Sequence, residues 1–321
     1  MAPLLSLDDV LAARRTIAGG VHRTPMFTSA TLADLTGCRV HLKAELFQRT
    51  GSFKPRGVLN KLARLSPDEK RRGVIGISAG NHAQALAYAA AREGIDALVV
   101  MWETASPMKV AAARGYGATI DTDAPDIPAA FERLDALIAE TGRTLVHPYD
   151  DPVVMAGQGT VGLEILEDVP EADVVLVPVG GGGLISGVAT AVKGARPQTR
   201  VVAVEPELSA ALHESLKAGR SVTVEARSAA DGLNGPYAGP NCVEVCARLG
   251  VESVLVTEDE LVGAFRFVYG RAKLACELAG AATTAALMAG RVEVEPGSTV
   301  VAVVSGGNVS LETASAILAG R

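Results

Sequence analysis

Short runs rich in valine and isoleucine recur along this chain and alternate with Ala-rich stretches of helical spacing. The runs are Arg39–Leu42, Val74–Ser78, Ala97–Met101, Thr144–His147, Val174–Val179, Val201–Glu205, Ser253–Val256 and Thr299–Ser305. The helical stretches include Ala83–Glu93, Pro107–Tyr116, Pro128–Thr141, Gly159–Glu167 and Asp259–Ala279, and Ser6 with Asp9 forms a capping-box-like start to a first helix. Strands that are apolar throughout need cover on both faces, and strands that alternate with helices pair in parallel. The expected fold class is therefore α/β, built as doubly wound, open parallel sheets with ligands at the carboxyl ends of strands. Three runs end in Gly-rich or small polar loops: Ser78-Ala-Gly-Asn-His, Gly180–Gly183 and Ser305-Gly-Gly-Asn308. Loops in that position are where such a protein builds its site.

Charge narrows the partners. Lys plus Arg total 30 against 36 Asp plus Glu, a net −6, which argues against a surface for duplex nucleic acid. Aromatic residues are 4%, too few for base-stacking platforms. Cys38, Cys242, Cys246 and Cys276 are too scattered for a disulfide framework; Cys242 and Cys246, at helical spacing, read as buried thiols, with a metal or redox role as the alternative. Asp8 and Asp9 fall where a secretory leader needs apolar residues, and no apolar run approaches the roughly 20 residues of a spanning helix. The expectation is a cytoplasmic protein with no membrane and no nucleic-acid partner.

Four constellations carry chemistry. In Thr50-Gly-Ser-Phe-Lys-Pro-Arg-Gly57, Lys54 is one of eight lysines and lies beside Phe53 ahead of a helical stretch. A Schiff-base lysine needs partial desolvation to lower its pKa, although a surface lysine before a helix has the same local pattern. Gly180–Gly183 followed by Leu184 lets several main-chain N–H groups converge on one anion at a helix start. It lacks the Lys of a nucleoside-triphosphate loop. Glu205 lies near the distance expected of the ribose-binding acid in a dinucleotide site, and a plain strand-to-helix turn also remains open. Ser78-Ala-Gly-Asn-His82 opens a helix and suits a carboxylate, with Asn81 able to bond a hydroxyl or oxyanion; Ser78 or Asn81 as an N-cap and His82 as a satisfied imidazole are the simpler readings. Ser305 offers a hydroxyl that can donate to a neutral ring nitrogen, or is a turn serine.

In this order, SFKPRG, SAGNHAQ, AGQGT (Ala156–Thr160), VPVGGGGL and SGGN resemble pyridoxal-phosphate enzymes of the tryptophan-synthase β type, fold type II. Within that group the chain is similar to the threonine and serine dehydratase/serine racemase family, from about Val21 to Asn308. The resemblance implies two doubly wound domains with the active site between them: residues 1–49 and 144–321 as the large, cofactor-binding domain and 50–143 as the small one. It implies that Lys54 carries pyridoxal 5′-phosphate as a Schiff base and moves the Cα proton. It further implies that Phe53 packs on the ring, Asn81 bonds the ring 3′-oxygen, Gly180, Gly181, Gly182, Gly183 and Leu184 bind the phosphate, and Ser305 meets the pyridine nitrogen. Ser78, Ala79, Gly80 and His82, with Asn81 between them, would hold the substrate carboxylate. His147-Pro-Tyr149 and Asp231-Gly-Leu are further candidates for the side-chain pocket.

The implied activity is a lyase that takes water and ammonia from small β-hydroxy amino acids such as L-threonine or L-serine, leaving 2-oxo acids. Ala79 stands where racemases of the family carry a second serine, which favours elimination. Alternatives are an amino-acid racemase, a 3-hydroxyaspartate dehydratase, or a non-catalytic protein that holds the cofactor or senses a ligand on the same fold. The family's divalent-metal site has Glu205 at its first position but Ala211 at its second, so no metal is expected, with Glu205 the remaining candidate. Glu277-Leu278-Ala279-Gly280 departs from the family's Glu-Pro near the end, and, with the last residue at Arg321 soon after SGGN, feedback through a C-terminal regulatory region is not expected. A homodimer is the implied assembly.

Overall fold

A computed structural model of the chain describes residues 4–320, so Met1–Pro3 of the N-terminal stretch and the terminal Arg321 lie outside it. Among the described residues ten strands are found: β1 (Met26–Thr28), β2 (Arg39–Ala44), β3 (Val74–Ile77), β4 (Ala97–Trp102), β5 (Thr119–Ala124), β6 (Thr144–Leu145), β7 (Val174–Pro178), β8 (Arg200–Pro206), β9 (Glu252–Val256) and β10 (Thr299–Val304). They form a six-stranded sheet in the order β1-β2-β10-β7-β8-β9 and a four-stranded sheet in the order β5-β4-β3-β6. Every neighbouring pair is parallel except β1 on β2. The expected α/β class with two parallel sheets is what the chain adopts. All eight expected runs are strands, trimmed or extended by a few residues. The short edge strand β1 and the half-polar edge strand β5 (Thr-Ile-Asp-Thr-Asp-Ala) lack the apolar signature that marks the others.

Burial explains why the central strands are apolar at every position. Side chains alternate across a strand. Val174 and Leu176 of β7 join Val300, Ala302 and Val304 of β10 in one cluster that also holds Phe265 and Ala282. Val175 and Val177 join Val301 and Val303 in the cluster on the opposite face, with Ile185 and Val188. The small sheet repeats this pattern, with Val74 and Val99 on one face and Ile75 and Val100 on the other. The first helix, Leu7–Thr16, is capped as expected by Ser6, whose side chain and Asp9 exchange both bonds of a capping box.

One expected element is corrected. Asp259–Ala279 is not one helix: a helix spans Glu258–Gly270, the chain breaks through Lys273 at φ 62°, and a second helix spans Leu278–Met288. Leu274, Cys276 and Leu278 remain in the core across the break, so the apolar pattern continues where the helix does not. The break brings Glu277 to the carboxyl ends of the large sheet, where its N–H donates to Gly306 O at 3.1 Å.

The helix Pro152–Asp168 joins the two layers, and its glycines set how close its neighbours come. A Cβ on Gly157 would lie 2.4 Å from the main-chain oxygen of Arg56 and 2.6 Å from Gly57 Cα, in the helix Pro55–Ala63. A Cβ on Gly187, in the helix Gly183–Ala195, would lie 2.2 Å from Met155 O. The AGQGT segment is therefore main chain packed on main chain. Beside it, four charges are buried together. Arg56 grips Glu45 through Nε and Nη2 at 2.8 Å each, and Glu164 through Nη1 and Nη2 at 2.7 and 3.0 Å. Lys43 Nζ donates to Glu164 at 2.7 Å and to Thr24 O at 2.8 Å. Burial acts to lower the Arg56 pKa, yet Glu45 and Glu164 hold it above the usual value.

Gly157→Ala is expected to lower the unfolding free energy by about 3 kcal/mol through overpacking. Gly263→Ala, on an exposed helical position with nothing within 4 Å of the new Cβ, should instead add up to about 1 kcal/mol. Denaturant titration of both variants measures the contrast.

Candidate active site

The carboxyl ends of β3, β7 and β10 open on one cavity of about 470 Å³, a normal size for a small-molecule site. Phe53, Lys54, Ser78, Ala79, Gly80, Asn81, His82, Gly180, Gly181, Gly182, Gly183, Leu184 and Ser305 all line it. The sequence candidates thus converge from four separate segments. Two of these are sewn together by main-chain contacts: Ser52 bridges Gly306 in antiparallel sense, Phe53 N–H donates to Ser305 O at 3.1 Å, and Gly307 N–H donates to Gly51 O at 2.9 Å.

Lys54 precedes Pro55, which opens the helix Pro55–Ala63 where a missing N–H costs nothing. Its Nζ donates to Pro148 O at 2.8 Å and lies 5.2 Å from the centre of the Phe53 ring. Burial lowers its pKa to about 8, against the opposing charges of Cys242 and Glu277. A lysine in that state supplies neutral amine near physiological pH and is a competent nucleophile for a carbonyl carbon.

Two helix starts face the same cavity. Residues Gly180–Leu184 lead into the helix Gly183–Ala195, and no partner within the described fold engages the N–H groups of Gly180, Gly181, Gly182 or Leu184. The glycines are required sterically. A Cβ on Gly181 would lie 2.3 Å from the Tyr149 ring, one on Gly183 2.9 Å from Tyr149 Cα, and Gly182 has φ +98° with Cys242 Cβ 2.7 Å from the same point. Unpaired amides at a helix N-terminus make an anion cradle. Ser78–Gly80 lead into the helix Asn81–Glu93; Ser78 Oγ accepts from Gly80 N–H at 3.0 Å, and the N–H groups of Ala79, Asn81 and His82 have no partner within the described fold. The site thus offers two anion positions flanking one amine.

His82 is the satisfied imidazole of the simpler reading as far as Nε2 goes, which meets Val146 O at 2.8 Å. Its Nδ1 is buried without a partner, and burial together with the Lys54 charge lowers its pKa to about 3, so the ring is neutral. Glu277 is the residue that sequence reasoning does not assign. It lines the cavity, its Oε1 accepts from Asn81 Nδ2 at 2.7 Å, and burial raises its pKa to about 7. The departure at Glu277–Gly280 is the only sequence signal for it. Pro148, Tyr149 and Asp231–Leu233 also line the cavity, as the side-chain candidates suggest, and Lys109 pairs with Asp231 at its mouth.

These groups fit pyridoxal phosphate: amides without partners for the phosphate, an amine for the aldehyde, the Phe53 ring and the Ser305 hydroxyl for the heterocycle. They do not fit a divalent cation at Glu205. That carboxylate is outside the cavity and is taken up by the helix Ala211–Ala218, accepting from Leu212 and His213 N–H at 2.7 Å each, while burial raises its pKa to about 8. A buried carboxyl whose two oxygens are already taken by main-chain amides, and which stands next to Ala211, lacks the oxygen set a hard cation needs. Glu205 is likewise no ribose ligand, since it lies away from the glycine loop's cavity.

Competitive acetylation of the ligand-free protein across pH, read by peptide mass spectrometry, should show half-maximal labelling of Lys54 near pH 8. The melting temperature should be the same in EDTA and in Mg²⁺.

A model of the family described as "Pyridoxal-phosphate dependent enzyme" matches residues 17–306. An L-threonine ammonia-lyase of Thermotoga maritima is 41% identical over 316 residues, covering 98% of this chain and 78% of that protein. A catabolic L-threonine dehydratase of Staphylococcus aureus is 43% identical, covering 99% of this chain and 93% of that protein. Among solved structures, maize serine racemase superposes with a TM-score of 0.92 at 36% identity, covering 96% of this chain and 95% of that one. The serine racemase of Dictyostelium discoideum superposes at 0.90 and 35% identity, covering 96% and 100%. The resemblance drawn from the five motifs is borne out: this chain belongs to the family of pyridoxal-phosphate dependent enzymes.

Proposed function

We propose that the protein is an ammonia-lyase of the dehydratase type, converting L-threonine and L-serine to the corresponding 2-oxo acids and ammonia. The observation that carries this is the Lys54 amine held between two helix N-termini, with Ala79 rather than a hydroxyl in the adjacent loop. The names of relatives 41% and 43% identical along almost the whole chain support it. When bound, pyridoxal phosphate supplies an aldehyde carbon for the Lys54 amine and a ring that accepts electron density from the substrate's α-carbon. The amides of Gly180–Leu184 bind its phosphate, Phe53 flanks the ring, Ser305 donates its hydroxyl to the ring nitrogen, and Asn81 bonds the ring oxygen. The amides of Ala79–His82 orient the substrate carboxylate. Lys54 Nζ then accepts the α-proton; a pKa near 8 suits a base that works close to neutral pH. Ala79 has no proton to return to the other face, so elimination prevails over racemisation.

The cavity also supports a small, uncharged substrate side chain. Trp102, Ile127 and Phe131 give one wall an apolar character, and the other lysine on the lining, Lys109, is neutralised by Asp231. A second carboxylate, as in 3-hydroxyaspartate, would have to displace that pair. The same reading includes a cytoplasmic homodimer without a nucleic-acid partner. Four buried free thiols support a reducing compartment, and no described helix is long and apolar enough to cross a membrane.

Incubation with L-threonine, L-serine and 3-hydroxyaspartate, read as 2-oxo acid release and chiral amino-acid analysis, tests this proposal. Fast oxo-acid formation from threonine or serine is expected, lost together with the bound cofactor's visible band in Lys54→Ala. D-serine accumulating faster than pyruvate would make the protein a racemase. An intact visible band without turnover would make it a ligand-holding protein.

A further inference from the structure

Asn81, at the start of the helix Asn81–Glu93, and Asn308, at the end of the SGGN loop just behind the cavity wall, are 227 residues apart and bonded to each other. Asn308 Nδ2 donates to Thr50 O at 2.7 Å and to Asn81 Oδ1 at 2.7 Å. Asn81 Nδ2 donates to Glu277 Oε1 at 2.7 Å. The direction of this chain follows from its first link. A main-chain carbonyl only accepts, so the end of Asn308 that meets Thr50 must be its nitrogen. Both N–H groups of Asn308 are then committed, one to Thr50 and one to the Asn81 oxygen. Asn81 is left with its nitrogen toward Glu277 and the cavity, and with one N–H that has no protein partner on a residue that lines the cavity.

Glu277 cannot set this direction by itself. Its pKa, raised to about 7 by burial, makes it a carboxylate or a carboxylic acid within the working pH range, and the acid accepts or donates. Asn308 does not titrate. The backbone is shaped around it: Thr50 adopts φ 59°, ψ 14°, and Gly51 follows at φ +74° with a point only 2.5 Å from Asn308 Oδ1 where a Cβ would be. A left-handed threonine is costly for a β-branched residue and persists only where its surroundings fix it. Here it turns its carbonyl to Asn308. A Cβ on Gly306 would likewise lie 2.2 Å from Glu277 Oε1.

We propose that Asn308 is a positioning residue that fixes the sense of the Asn81 amide, so that Asn81 always presents an N–H, never its oxygen, to the ligand in the cavity. The proposal rests on the reading of Asn81 as a ligand of the cofactor's ring oxygen. Asn308→Asp keeps the shape of the side chain and removes the donors, so Asn81 is free to turn its oxygen inward.

The test is a thermodynamic cycle of wild type, Asn81→Ala, Asn308→Asp and the double variant. The readouts are cofactor affinity, measured by titrating apo-protein with pyridoxal phosphate, and the proportion of the bound cofactor's visible band at fixed pH. Asn81→Ala and Asn308→Asp should each weaken binding by roughly tenfold, the equivalent of one hydrogen bond, and shift the spectrum in the same direction. The double variant should be no weaker than Asn81→Ala, because both changes remove one interaction. Affinity of Asn308→Asp within about twofold of wild type, or losses that multiply in the double variant, would overturn the role. If Asn308→Asp fails to fold, Asn308→Ala, which also frees the Asn81 amide, takes its place under the same criteria. A wild-type protein that does not bind the cofactor would instead refute the underlying reading, and Asn81→Ala that binds like wild type would refute the assignment of Asn81.

Discussion

Four buried charges decide where the rest of the molecule can be. Arg56, Lys43, Glu45 and Glu164 are buried, and they are satisfied by one another, by Thr24, Thr160 and His22 O, and by Asp168 at 3.8 Å from Lys43 Nζ. A buried pair contributes little net stability because desolvation offsets attraction, yet removing one member leaves a charge that costs about 3–5 kcal/mol. The cluster therefore acts as a constraint on register. It holds β2, the turn after it, the start of the helix Pro55–Ala63 and the middle of the helix Pro152–Asp168 in one arrangement. Lys54 is two residues from Arg56, so the amine of the site inherits its place from this arrangement.

Around that amine, the fold arranges partial charges more than full ones. Two helices begin at the cavity and present amides without partners, which favours anions on either side of Lys54. Burial lowers the Lys54 pKa and raises that of Glu277, so both groups are shifted toward their neutral forms. Such a pocket can accept a doubly anionic ligand without strong fixed countercharges of its own. His82 and His147, both pushed low by burial, add none.

Much of this is legible in the sequence because backbone demands leave residue-type signatures. A strand buried on both faces can be written only in apolar residues, which is why β7 and β10 are plain. A loop pressed against Tyr149 and Cys242 admits only glycine, which is why Gly180–Gly183 stands out. Contacts made across long stretches of chain leave no such mark. Glu277 meets Asn81 from 196 positions away, and Lys54 finds its acceptor in Pro148 O, 94 positions away. The over-long helix expected at Asp259–Ala279 arises because Leu274 and Cys276 stay buried across the break. Glu205 has spacing suited to a ribose or a metal, but its carboxylate binds the amides of Leu212 and His213 in the fold itself.

The joint between the two layers is made where Gly57 meets Gly157. Val58 and Leu62, beside the first, pack in the small sheet's core, while Val161 and Ile165, beyond the second, pack in the large sheet's. The crossing brings main chain against main chain, with the Gln158 side chain wedged beside it and accepting from Gly57 N–H at 3.2 Å, so it has little slack to compress. A side chain added at either glycine would push the two cores apart. The cavity takes one wall from the strand ends of each sheet, at Ser78 on one side and at Gly180 and Ser305 on the other, so its width depends on these two glycines.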